Sequence, residues 1–162
     1  MAFRSFRTRL RAFQKVRGNP PDPGFIADLE FLENRDLDLS VRLGAMLAFN
    51  ALLITIGTHP VSASPGAPLS LDAASQPVMT LASLVALLPI AVSSWFVLRA
   101  LLLGEELEND ELEGEALRLH LFAAFVRSID AQSRLLTLAI RATLTGAALT
   151  MAVWGVFLWS KM

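Results

Sequence analysis

Three stretches of this chain contain no Asp, Glu, Lys, Arg or His: residues 43–58, 73–98 and 142–160. A helix that crosses the hydrocarbon of a bilayer needs about 20 mostly apolar residues, because roughly 30 Å must be covered at about 1.5 Å per residue. The second and third stretches reach that length. The first reaches it once Leu39 and Val41 join it and Arg42 snorkels toward the headgroups. Hydrophobic residues make up 54% of the 162, high for a domain whose surface must face water. The expected fold class is therefore all-α: an integral membrane protein with three transmembrane helices at about 41–59, 78–98 and 138–160. An N-terminal amphipathic helix precedes them, and a cytoplasmic segment, 99–137, supplies a helix that continues into the last span.

The basic residues orient this scheme, because Lys and Arg are retained on the cytoplasmic side. With three crossings, every arginine and Lys15 share one side and Lys161 alone lies on the other. A two-span or four-span count would spoil that asymmetry. The expected location is a bacterial inner membrane, with the N-terminus cytoplasmic and the C-terminus periplasmic. Trp95 and Trp159 suit anchoring at the two interfaces.

Residues 1–17 hold six basic residues and no acidic one. On a helical wheel Phe3, Phe6, Leu10 and Phe13 share a face, and Arg4, Arg7 and Arg11 lie beside it. Such a helix suits the surface of an anionic bilayer, aromatic side down. Residues 18–24, rich in Pro and Gly, break it. The membrane domain, 25–162, should then open with a helix near Phe25 that runs into the first span, with Asp38 and Arg42 spaced to pair on its surface. Residues 59–77 contain four prolines and read as a connecting loop. Pro89 lies inside the second span, where it frees the carbonyl of Val85, and Ser93 and Ser94 are candidates to satisfy it. Seven acidic residues crowd 104–115. Beyond them Leu119, Phe122, Val126 and Ile129 recur at helical spacing.

Catalysis needs groups that can meet, and the inventory is short. The chain has no cysteine, which excludes disulfides and thiolate chemistry. Its two histidines, His59 and His120, fall on opposite sides of the expected membrane. No nucleophile elbow, zinc-binding HExxH, P-loop or dinucleotide-binding glycine pattern occurs. The acidic run lacks the alternating ligands and central glycine of a calcium loop. No ionisable residue lies at mid-span, where an ion or proton path would place one. The chain is expected to be no enzyme and to carry no cofactor or metal.

What remains is association between helices. Asn50 is the one strongly polar side chain deep in a span. With Gly44 and Ala48 at small-xxx-small spacing it could hydrogen-bond across a helix interface, and Ala142, Gly146 and Thr150 give the third span a similar face. These faces serve packing within one chain or contact with a copy or another membrane protein.

The order of elements, a helix entering span one across Asp36 to Asn50, an outer loop, span two ending at Arg99 and a cytoplasmic helix entering span three, resembles the Pycsar transmembrane effectors. Asp38 and Asn50 look like the aspartate and the small or polar residue that recur in that family, and Arg134-Leu135-Leu136 with Arg141-Ala142 is similar to its approach to the last span. The family tends to carry a lysine soon after the aspartate, where this chain has Leu39, Ser40, Val41 and then Arg42. The resemblance implies an antiphage protein that disrupts the inner membrane on a cyclic pyrimidine nucleotide signal. The arginines at Arg118, Arg127 and Arg134 could meet the phosphates of such a ligand as readily as acidic neighbours. The residues by themselves lead first to a non-enzymatic membrane protein that acts as an accessory, scaffold or self-assembling subunit. Its expected partners are anionic lipid and a membrane protein, its own copy included, and not nucleic acid.

Overall fold

A computed structural model describes residues 23–63, 70–71, 73–103 and 114–161. Among these there are three helices and no strand: α1 is Pro23–Ser62, α2 is Pro77–Leu102 and α3 is Gly114–Lys161. All three are long and apolar enough to cross a membrane. The basic segment 1–17, with Phe3, Phe6, Leu10, Phe13, Arg4, Arg7 and Arg11, lies outside the described residues, as does most of the acidic run.

Helix α1 starts at Pro23, two residues earlier than the sequence suggests. Proline is tolerated there, since the first-turn N–H groups have no partner inside the helix. Its other end also runs further than the expected loop boundary at His59. Pro60 is helical and fully buried, and the helix continues to Ser62. A proline this close to the end deprives only one carbonyl of its donor. The terminal carbonyls find others: the Ala63 N–H bonds to the His59 oxygen at 2.9 Å and the Leu71 N–H to the Pro60 oxygen at 2.7 Å. Helix α2 begins with Pro77 after Gln76, whose carbonyl accepts the Thr80 N–H at 3.1 Å.

The chain divides into two compact units. The first comprises Met1–Leu43 and Arg99–Arg134. Phe25, Leu39, Leu43 and Ala100 are buried in it, as is the polar Gln132. Phe25 meets the Phe122 ring edge-on, centroids 5.4 Å apart. Charges line its exterior. Asp38 is held between Arg35 at 3.4 Å and Arg42 at 3.0 Å, and Asp130 pairs with Arg134 at 2.9 Å. Of the apolar repeat on α3, Phe122 and Ile129 are partly covered, whereas Leu119 and Val126, displaced round the helix, are exposed.

The second unit comprises Gly44–Leu98 and Leu135–Met162. Asn50 meets Ser93 and Gly57 meets Leu87, so α1 and α2 run antiparallel. Ser93 meets Ala139 and Ile90 meets Gly146, so α2 and α3 do too. The buried positions follow a spacing of three and four: Ser83, Leu87, Ile90, Ser93 and Val97 on α2, and Ala139, Thr143 and Gly146 on α3. That is the spacing of knobs-into-holes packing between helices. Helix α2 is the best covered, with 33% of its most apolar window buried against 17% for each of the others.

Glycine sets the closest approaches. A Cβ at Gly146 would lie 2.5 Å from Cγ1 of Ile90 and 3.1 Å from its backbone nitrogen, and one at Gly57 would fall inside the Leu87 side chain. Both residues are buried. A larger side chain at Gly146 would push α2 away, since it meets backbone there, whereas at Gly57 the Leu87 side chain would have to move.

Candidate functional site, a buried polar clasp

One side chain from each helix of the second unit converges on a single point. Asn50 of α1 and Ser93 of α2 are 0% exposed, and Thr143 of α3 is 2% exposed. The Thr143 hydroxyl donates to Oδ1 of Asn50 at 2.7 Å, and Nδ2 of Asn50 donates to Oγ of Ser93 at 2.9 Å. The Ser93 hydroxyl lies 2.8 Å from both Oγ1 of Thr143 and the backbone oxygen of Ala139. It has one proton and donates to one of them at a time. Donation to Thr143 closes a ring of three side chains; donation to Ala139 ties α2 to the backbone of α3.

The local reason lies in helical spacing. On α1, Leu43, Asn50 and Gly57 are seven apart and share one face, which the structure buries. On α3 Thr143 sits one turn after Ala139 and three residues before Gly146, on the face packed against α2. The glycine contacts let the backbones come near enough for short side chains to touch. Only the side chains of Asn, Ser and Thr are involved, and none of them titrates in the range of protein chemistry. The cluster therefore stores no charge and offers no general base. It locks three helices in register, and separating them would leave several polar groups unpaired, at several kcal/mol each in an apolar medium.

Of the other residues singled out in the sequence, Ala142 and Thr150 are half-buried, and the Thr150 hydroxyl bonds to the Gly146 oxygen at 2.8 Å. Gly146 is occupied by α2 of the same chain. Gly44 and Ala48 are exposed, and a Cβ at Gly44 would meet nothing within 4 Å. They lie on a different face of α1 from Asn50: at about 100° per residue, the six residues from Gly44 turn the helix by about 600°, or 240° net of a full turn, and the two from Ala48 by about 200°. Neither serine reaches the carbonyl freed by Pro89: Ser94 bonds to Ile90 of its own helix at 3.1 Å, and Ser93 serves the clasp. Arg127 donates its Nε to the Ala123 oxygen at 3.2 Å and Arg134 is paired with Asp130. The side chain of Arg118 lies outside the described residues. No group of three His, Asp or Glu that could hold a metal occurs among the described residues.

Two members of the clasp had a weak signal in the sequence. Threonine is common in apolar helices, where Thr55, Thr58 and Thr145 bond to carbonyls of their own helix, so Thr143 does not stand out. Gly57, seven residues after Asn50, was the available clue to the packed face of α1. No protein-family model, curated protein or solved structure matches this chain.

Proposed function

We propose that this is a non-enzymatic, three-span protein of a bacterial inner membrane that acts through association with a copy of itself or another membrane protein. The observation that carries the reading is the apolar surface of the second unit. Leu52, Leu88, Leu144 and Met151 are among its exposed large apolar side chains, while its interior holds Asn50, Ser93 and Thr143 together with Leu87, Ile90 and Val97. Water disfavours such a surface, and hydrocarbon favours it.

Orientation follows from the arginines, which put the N-terminus in the cytoplasm. The clasp fixes the three spans as one body and has no titratable member, in keeping with a structural part rather than a catalytic one. Gly146 is spent inside the chain, so the outer face of α1 at Gly44 and Ala48 is the small-residue face left for another helix. The test is alkaline extraction of membranes combined with a compartment reporter at each terminus. The protein stays with the membrane and the two reporters light up in opposite compartments. Release into the supernatant, or both reporters in one compartment, would reject the reading.

A further inference from the structure

The arginines of this chain are not equally provided for. Arg35 and Arg42 share the carboxylate of Asp38, Arg134 pairs with Asp130, and Arg127 donates to the Ala123 oxygen. Arg141 of α3, in the second unit, is exposed and its guanidinium has no partner among the described residues. No carboxylate stands three or four positions from it. Leu138 and Leu144 flank it instead, both exposed, and the Thr145 hydroxyl is spent on the Arg141 carbonyl oxygen at 2.9 Å. The second unit has one acidic residue, Asp72. It falls in the sequence between Ser62 and Pro77, whereas Arg141 is two residues from the clasp, at the opposite end of the unit.

We propose that the Arg141 guanidinium binds the phosphate diester of a phospholipid in the cytoplasmic leaflet. The proposal rests on the membrane reading above, which puts the leucines around Arg141 against hydrocarbon. Arginine keeps its charge at any pH a protein meets, and a charge left among acyl chains is costly. Its long side chain can lie along the span and lift the guanidinium toward the headgroups. There the planar fork of N–H donors matches a pair of phosphate oxygens in geometry and in charge. The position along α3 agrees with this. From Arg141 to Lys161 the helix advances about 30 Å at about 1.5 Å per residue, the thickness of the hydrocarbon layer. Arg141 is also only about 3 Å along the axis from Thr143, so the lipid is anchored at the end of the unit that the clasp locks.

Two arginines of α3 make a matched test, because Arg134 has a carboxylate of its own chain and Arg141 has none. The full chain is purified in mild detergent, stripped of lipid and titrated with phosphatidylglycerol or with diacylglycerol, which lacks the phosphate, and bound lipid is counted by native mass spectrometry. The unaltered protein is expected to hold one more phosphatidylglycerol per chain than Arg141→Gln, and no more diacylglycerol. Arg134→Gln is expected to keep the full count. In lipid-free detergent Arg141→Gln should melt with the unaltered protein, because its side chain has no partner in the chain to lose. Equal phosphatidylglycerol counts with and without Arg141, the same loss from Arg134→Gln, or a lowered midpoint for Arg141→Gln would overturn the proposal. So would displacement of the lipid by an equal concentration of inorganic phosphate, which would make this a site for a free anion. A dimer that only Arg141→Gln dissolves would also overturn it, by making a second copy the partner. None of these results bears on whether the chain enters membranes, which alkaline extraction decides separately.

Discussion

The two units of this chain both bury apolar side chains and differ in the polar groups they keep. In the first, Phe25, Leu39 and Leu43 are buried, and the charges of Asp38, Arg42, Asp130 and Arg134 pair on the outside. In the second, Leu87, Ile90 and Val97 are buried together with the hydrogen-bonded Asn50, Ser93 and Thr143, and leucines, valines and isoleucines are exposed. The difference teaches where specificity comes from in each. Where water surrounds the helices, burial of apolar area drives packing and surface ion pairs add little. Where hydrocarbon surrounds them, one leucine is as good a neighbour as another, and register is set by close backbone approach and by hydrogen bonds with nowhere else to go.

That contrast is most sharply broken at Gly146. Leucine there would collide with the side chain and backbone of Ile90, and backbone cannot turn aside as a rotamer can. We expect a loss of about 3 kcal/mol, at the upper end of overpacking effects, read as a large drop in the thermal midpoint in mild detergent. An unchanged midpoint would mean that α2 and α3 do not approach as described. Gly155→Ala, at an exposed glycine where an added Cβ meets nothing within 4 Å, is the paired control and should leave the midpoint where it is.

Smaller, and more telling for the second unit, is Asn50→Leu. In an apolar core a leucine for a polar residue is normally favourable, so a stabilising result would show that the clasp is dispensable. We expect the reverse. The substitution removes both hydrogen bonds of Asn50, leaving Thr143 to donate to Ser93 and Ser93 to Ala139, at about 1–2 kcal/mol by the range for hydrogen bonds between spanning helices. Thr143→Val in the same background should cost less than it does alone, because the two side chains act as one network. Additive losses in this double-mutant cycle would dissolve the clasp into independent contacts.

How much of this was legible beforehand varies with the kind of signal. Three apolar helices follow from charge-free length alone, a local property, and they are present. Asn50 was visible as a polar residue without local company. Its partners were not, because a hydroxyl on a helix can always return to its own backbone, and only the packed helices distinguish Thr143 from Thr145. The face of α1 that packs within the chain is not the one its small-residue pattern marks. Gly44 and Ala48 are exposed, and the buried spacing runs from Asn50 by sevens to Leu43 and Gly57. Small residues mark a possible close approach; the polar residue among them says which face makes it.

The smallest expected effect lies in the first unit, at Asp38. Its carboxylate meets two arginines, yet all three side chains are about half exposed, and exposed pairs of this spacing contribute less than about 1 kcal/mol. Asp38→Asn should therefore barely move the thermal midpoint, and added salt should erase what difference there is, since screening acts on exposed charges. The clasp variant Asn50→Leu should keep its deficit at the same salt concentration, because its hydrogen bonds lie where ions do not reach. A salt-resistant loss at Asp38 would place that carboxylate in an environment like that of Asn50, and the distinction between an exposed ion pair and a buried hydrogen-bond cluster would fail at the residue where it is easiest to measure.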